Sequence, residues 1–330
     1  MSDTGSTLPT ERDDANTTPF NERALELEEV GPDTYLSVDL WRPQGGRGVF
    51  GGQVIGQALS AATKTVESPF RCNSLHCYFL AAGKNTEMIA YEVRRVRQGA
   101  SYCSRLVVAK QSGRVIFMAT VSFQKPEPTV LAHQYAMPKV PAPETLLSRE
   151  ALILRGGDEP TSTWQADEVS ALPVETRPVP MDAKAGLPIN AIWLRARGDM
   201  SALGHCHHQS MLAYASDFAL ISTALRPFQM RRQGAQHRLT MLVSLDHTVW
   251  FHEPFRADDW LLYVMESPRT ASGRGLSFGR IYSRDGTLVA STAQEGVTRG
   301  VSLGSDHRIL EFETDIRRKN PSENEHAAKL

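Results

Sequence analysis

Asp217, Ser244 and Gln294 are polar side chains set in apolar runs, and a carboxylate, a hydroxyl and a carboxamide together can hold and activate one water molecule. Asp217 is the only charged residue of MLAYASDFALISTAL, Met211 to Leu225, a run that predicts a helix apolar on nearly every face. Its helical neighbours three and four positions away, Ala213, Tyr214, Leu220 and Ile221, offer no Lys or Arg to pair with it. An ionised carboxylate is costly to bury unless something specific holds it, so two readings stand: a structural Asp satisfied by a nearby backbone or hydroxyl group, or a catalytic base. In LTMLVSLDHTVWF, from Leu239, alternation sets Val243 and Leu245 on one strand face and Leu242, Ser244 and Asp246 on the other. In TLVASTAQEGV, from Thr287, Gln294 continues the row of Leu288, Ala290 and Thr292.

Such a trio suits thioester hydrolysis. The attacking water must lose a proton, which calls for a base whose pKa burial has raised toward neutrality. A thiol of pKa roughly 8.5 departs as thiolate without a strong general acid, so a histidine is dispensable. The developing oxyanion needs donors, expected from the Gln294 side chain or from backbone N–H groups at a helix start around Gly51 and Gly52. Other chemistries are poorly served: there is no G-x-S-x-G, no Walker loop, and no G-x-G-x-x-G after a strand. The cluster His205-Cys206-His207-His208 lacks a second ligand pair at metal-binding spacing, and no metal or cofactor is expected. His76 and His247 lie in strand-like runs and read first as satisfied histidines.

These residues must be positioned by elements that occur twice. The first set begins with a predicted helix, GGQVIGQALSAA from Gly51, in which small residues such as Gly56, Ala58, Ala61 and Ala62 would admit a closely packed sheet. Strand-like runs follow from Ser74, Glu87, Ser101 and Arg114. The second set is the Met211 helix and runs from Leu239, Asp259, Gly275 and Thr287. Phe79 to Gly113 spans 34 positions and Phe251 to Gly286 spans 35, with Gly99-Ala100-Ser101 and Ala271-Ser272-Gly273 at matching places between. A repeat of this length predicts a duplicated domain, each copy one largely buried helix wrapped by an antiparallel sheet, an α+β arrangement. The expected organisation is a tail over 1–20, a first domain over 21–125, a proline-rich connector over 126–189, a second domain over 190–302 and a charged tail over 303–330. Ten of the nineteen prolines fall between Pro126 and Pro188, and a short helix is expected there around Pro143 to Leu154.

Length, charge and ends bound the rest. The 330 residues are 41% hydrophobic and 22% charged, and 36 basic against 37 acidic residues create no field that would attract nucleic acid or an anionic membrane. Cys72, Cys77, Cys103 and Cys206 lack disulfide-framework spacing and read as reduced thiols, and no apolar run is long enough to cross a bilayer. The first eighteen or so residues lack a secretory core, and their acidic content opposes a transit peptide. The final Ala328-Lys329-Leu330 matches a peroxisomal address with Ala in place of the usual Ser, which implies an import receptor as partner; without peroxisomes in the host the expectation is the cytoplasm.

The stretches GVFGGQVIGQAL (from Gly48), SLHCYFLAAG (from Ser74), WLRARG (from Trp193), AYASDFALISTAL (from Ala213), SLDHTVWFHEPFRADDWLLY (from Ser244) and STAQEGV (from Ser291) resemble the acyl-CoA thioesterase II family, which includes bacterial thioesterase II and the peroxisomal acyl-CoA thioesterases. The resemblance runs from about residue 20 to 300. It implies a double hotdog fold, two hotdog domains in one chain, that hydrolyses fatty acyl-CoA to fatty acid and CoA. It also implies that the catalytic Asp, hydroxyl residue and Gln fall on Asp217, Ser244 and Gln294, which order the attacking water, with a supporting part at most for His76. The first half keeps Gln57 but has no acid in its helix, so one competent site per chain is expected. Arg274 is the residue expected to meet the CoA phosphates, and a homo-oligomer is expected. A hotdog enoyl-CoA hydratase and a non-enzymatic acyl-CoA sensor are the alternatives; the first lacks its Asp and His motif, and the second has little use for the buried trio.

Overall fold

The computed structural model describes residues 23–156, 164–181, 188–228 and 237–302. The expected tails over 1–20 and 303–330, with Ala328-Lys329-Leu330, lie outside these residues.

Both halves build the same unit. In the first, β1 (Leu27–Gly31) and β2 (Thr34–Ser37) precede helix α1 (Gly51–Lys64), which is followed by β3 (Arg71–Phe79), β4 (Ala90–Gln98), β5 (Tyr102–Gln111) and β6 (Arg114–Gln124). The proline-dense stretch then holds a 3-10 turn (Pro143–Thr145) and two short helices, α2 (Arg149–Leu154) and α3 (Ala166–Ser170). It also contains β7 (Val174–Pro178), whose prolines lie at or beside the ends of an edge strand, where a missing N–H is tolerated. The second half runs β8 (Ile189–Ala196), α4 (His205–Ala215), a 3-10 segment (Ile221–Phe228), β9 (His237–Ser244), β10 (Asp246–Phe251), β11 (Leu261–Ala271), β12 (Arg274–Ser283) and β13 (Leu288–Ser302).

All thirteen strands form one antiparallel sheet in the order β1-β2-β4-β5-β6-β3-β10-β13-β12-β11-β8-β7, with β9 on β13. The order is a mirror about the β3–β10 junction, where Thr248 faces His76 and Trp250 faces Ser74. The expected repeat is therefore realised as two helix-plus-sheet units sharing one sheet. Their inward rows, such as Val107, Ala119, Val121 and Phe123 in one half and Tyr263, Ile281 and Ala290 in the other, join the helices in a common core.

Gly56, one of the small residues expected to admit the sheet, serves a different contact, as does Gly52. A Cβ at Gly52 would overlap the Tyr214 carbonyl oxygen of α4, and one at Gly56 would lie 2.9 Å from the Ser210 carbonyl oxygen. The two glycines thus let helix approach helix, whereas the sequence had suggested helix against sheet. Gly52→Ala is expected to force the pair apart and to destabilise the protein by about 1–3 kcal/mol, read as a lowered Tm. An unchanged Tm would show that the two helices can separate freely.

Two further elements depart from expectation. The Met211–Leu225 run is not one helix: α4 starts earlier, at His205, and stops at Ala215; Ala219 follows at φ 62°, and the 3-10 segment begins at Ile221. Apolar composition predicted burial correctly, but a buried turn and a buried helix share that composition. The run from Leu239 is likewise two strands. Gly296 pairs with Ser244 while Ala293 pairs with Thr248, so one residue, Leu245, is extra, and it exchanges bonds separately with Glu295 and Phe79. That bulge keeps Ser244 on the inner side with His247 and moves Asp246 to the face of Thr248 and Trp250.

Candidate active site

Asp217 lies on the turn that leaves α4, Ser244 at the end of β9, and Gln294 in the inward row of β13, and these three converge. Gln294 Nε2 donates to Asp217 Oδ1 at 2.6 Å and to Ser244 Oγ at 2.9 Å. An ionised carboxylate can only accept, so the amide nitrogen must face it, and both amide hydrogens are then committed. Ser244, having accepted from Gln294, keeps its own hydrogen to donate elsewhere. The expectation that the Gln294 amide donates to the oxyanion therefore yields to one in which Ser244 does.

The other half of the chain supplies the floor. Helix α1 has no acidic residue in its first turn and no side-chain cap, yet Asp217 sits over its start. A Cβ at Gly51 would lie 2.8 Å from Asp217 Oδ2, and the Gly52 N–H donates to the Asp217 carboxylate. Gly51 and Gly52 thus hold the acid at the positive end of the helix, and the Gly52 N–H is not free for the oxyanion. Phe79, 3.1 Å from the same Cβ position, forms an adjacent wall.

Two openings meet at this point. A cleft of about 340 Å³ is bounded by Asp217, Ser244, Phe218, Arg149, Trp164 and Leu242. An apolar groove of about 640 Å³ runs past Gly51, Val54, Phe79, Ile116 and Phe117. The openings share Phe50, Val243 and Ser244 as walls. Phe50 stacks on Phe218 with ring centroids 4.8 Å apart and meets Trp164 and Tyr214 edge-on, which stiffens the partition.

Other sequence candidates take structural places. Arg274 Nε binds Glu295 Oε1 at 2.9 Å, so it pairs on the surface and borders neither opening. The Arg with a place in the cleft wall is Arg149, above the Trp164 ring. His76 is exposed, edge-on to Trp250. Gln57 is fully used, donating to the Ala24 and Asp39 carbonyls and accepting from Tyr91. His208 accepts the Ala257 N–H, and among the described residues no cluster of His, Cys, Asp and Glu could hold a metal ion.

The first half has no comparable trio at the related place. Thr65 caps α1 as Ser216 caps α4, which puts Val66 where the second half has Asp217. Counting back from the ends of β3 and β10 puts Cys72 in place of Ser244; β3 shifts register between Cys72 and Ser74, and the extra residue Leu245 follows Ser244. Val121 pairs with Arg105 as Gln294 pairs with Ser277. Arg105 is itself buried and bonds to Thr65 Oγ1 and O, Gln98 Oε1 and two further carbonyls, filling the space with a satisfied cation.

A model of the acyl-CoA thioesterase family matches residues 165–297, and a model of the acyl-CoA thioesterase N-terminal domain matches residues 38–124. The chain is 40% identical over 296 residues to acyl-coenzyme A thioesterase 8 of Rattus norvegicus, covering 86% of this chain and 90% of that relative. The chain belongs to the acyl-CoA thioesterase family. It is also 28% identical to the peroxisomal acyl-coenzyme A thioester hydrolase 1 of Saccharomyces cerevisiae, over 87% of this chain and 96% of that one. Among solved structures, an acyl-CoA thioesterase II of Mycobacterium marinum matches with TM-score 0.68 at 34% identity, covering 86% and 99% of the two chains. A hot dog fold protein of Alicyclobacillus acidocaldarius matches at the same TM-score and coverages with 20% identity, a likeness of fold alone. The chain is thus a thioester hydrolase, and its two mirrored units are a double hotdog.

Burial acts in opposite directions on the acidic and imidazole groups around this opening. Burial raises the Asp217 pKa, opposed by the Gln294 hydrogen bond and the Gly52 N–H, although the carboxylate keeps part of its surface open to the cleft. Burial drives His247 the other way, to about 3, so that imidazole is neutral at working pH. Asp246 is raised by burial too, but its Oδ1 is spent on the Glu295 N–H. A carboxylate with enhanced basicity beside a hydroxyl donor can deprotonate a water held between them.

Proposed function

We propose that the chain hydrolyses fatty acyl-CoA to free fatty acid and CoA through a water activated by Asp217. The observation that carries this reading is the Gln294 amide bridging Asp217 and Ser244, which sets a base and a hydroxyl donor on one opening. The thioester carbonyl lies against Ser244, whose O–H donates to the oxygen as charge develops there. Asp217 takes the proton of the attacking water. Collapse of the tetrahedral intermediate expels CoA as thiolate, which needs little acid help because a thiol pKa is roughly 8.5. The acyl chain lies in the apolar groove beside Phe79 and Phe117, and the polar part of CoA leaves through the cleft. One site per chain acts, since the first half carries Val66, Cys72 and Val121 at the related places.

Thiol release measured across acyl-CoA chain lengths tests the activity, and absence of release at every length would refute it. Direct attack by Asp217 to form a mixed anhydride is distinguished by single turnover in oxygen-18 water, where the water route leaves Asp217 unlabelled. We further place the enzyme in peroxisomal fatty acid metabolism, on the Ala328-Lys329-Leu330 ending and the yeast relative's name. A fluorescent reporter carrying the last residues of the chain should enter peroxisomes and should lose that import when Leu330 is removed. Equal distribution of both reporters would refute the address.

A further inference from the structure

Asp217 belongs to no regular element. The chain leaves α4 at Ala215 and enters the 3-10 segment at Ile221, so something else must aim the carboxylate. That support comes from buried side chains of three strands. Tyr263 of β11 donates its O–H to the Ser216 carbonyl at 2.9 Å, and Thr292 of β13 lies 2.9 Å from the same phenol oxygen. On the other side, His247 Nε2 of β10 is 2.8 Å from Ser216 Oγ, which itself donates to the Ala213 carbonyl at 2.9 Å.

The hydrogen positions follow from these contacts. Tyr263 spends its only hydrogen on the carbonyl, so it accepts from Thr292. Ser216 spends its hydrogen on Ala213, so it accepts from His247, which must carry its proton on Nε2. Both chains of donors end on the residue just before Asp217. The Ser216 carbonyl is one of those that a helix end leaves without an intrahelical partner. The fold has made room for the phenol: a Cβ at Gly279, on β12, would overlap both the Tyr263 ring and Thr292 Oγ1.

We propose that Tyr263, oriented by Thr292, is a positioning residue for the hydrolytic reaction, holding the Ser216–Asp217 peptide so that the carboxylate stays against Gln294 and over the start of α1. The proposal rests on the assignment of Asp217 as base. Without the phenol O–H the buried carbonyl loses its donor, the peptide is free to rotate, and the 2.6 Å contact to Gln294 lengthens. Among the described residues, the titratable groups facing Asp217 are Tyr214 from α4, Tyr263 from β11 and Cys77 from β3, which burial keeps protonated and uncharged, and the charged Arg149 from α2 lines the same cleft. The acid limb of the rate profile therefore reports Asp217 itself.

The test compares Tyr263→Phe, Thr292→Val and Thr292→Ser with the full-length enzyme, using kcat, KM, the pH profile of kcat and Tm. Tyr263→Phe should lower kcat about 10- to 100-fold with little change in KM, the scale on which small misplacements act. Its acid limb should move to higher pH, because the Gln294 bond that lowers the Asp217 pKa is weakened. Thr292→Val should move kcat and the limb in the same direction, and Thr292→Ser, which keeps the donor, should restore both. A fall in Tm alone, with kcat and the acid limb unmoved in both Tyr263→Phe and Thr292→Val, would overturn the positioning role. Asp217→Asn is assayed alongside: if it stays active, the base assignment fails and this proposal with it, whereas an inactive Asp217→Asn beside an unaffected Tyr263→Phe rejects the positioning role alone.

Discussion

Asp217→Asn is expected to lower kcat/KM by about 10²- to 10⁴-fold, the usual worth of a general base, while leaving the fold intact. The amide has nearly the same shape, and its oxygen can still accept from Gln294 Nε2. What disappears is the ability to take a proton from water, so the loss should fall on kcat. Near-normal turnover would refute the site. Stability should respond to pH in a direction opposite to that of an ion-paired acid. Because burial raises the Asp217 pKa, the folded chain retains its proton at pH values where the unfolded chain, with a carboxyl pKa of about 3.9, has released it. Stability from this group is thus fullest below that unfolded value and is lost as pH rises through the folded one. The variant, with nothing to ionise, should gain Tm relative to the native enzyme as pH rises from about 4 toward neutrality. Parallel Tm curves for the two proteins across that range would contradict a raised pKa.

Ser244→Ala is expected to reduce kcat by about 10²- to 10³-fold, the cost of removing one oxyanion donor, with KM little changed. Gln294 presents no spare hydrogen to replace it, since one goes to Asp217 and the other to Ser244. Ser244→Thr keeps the hydroxyl and should retain most activity, so the pair of variants separates loss of the donor from change of shape. If Ser244→Ala raised KM and spared kcat, the hydroxyl would be a substrate contact with no part in the transition state.

The trio was legible from Asp217, Ser244 and Gln294 because each places a polar group where its neighbours demand an apolar one. Burial could be inferred; the local backbone could not. The turn at Ser216 and the extra residue at Leu245 depend on partners far along the chain, Tyr263 and Glu295, which no periodicity reveals. Arg274 looked available because Glu295, its partner, lies 21 positions away in sequence. The duplication was readable from matched turns, and its mirror order followed from joining β3 to β10. Tyr263 offered one weak clue, a hydroxyl-bearing ring inside LLYVM, but a strand core holds many tyrosines for ordinary reasons.

The placement of Asp217, contributed by the later repeat, upon the opening turn of the earlier repeat's helix has an evolutionary corollary. Two identical copies joined by symmetry must mutate in step, so each would keep the same acid and the same cradle. Covalent fusion releases that coupling: the earlier repeat carries Val66 and a buried Arg105 at the related places, while the later one carries Asp217. With the acid on one repeat and its cradle on the other, neither repeat expressed in isolation should recover catalysis until its counterpart is added back.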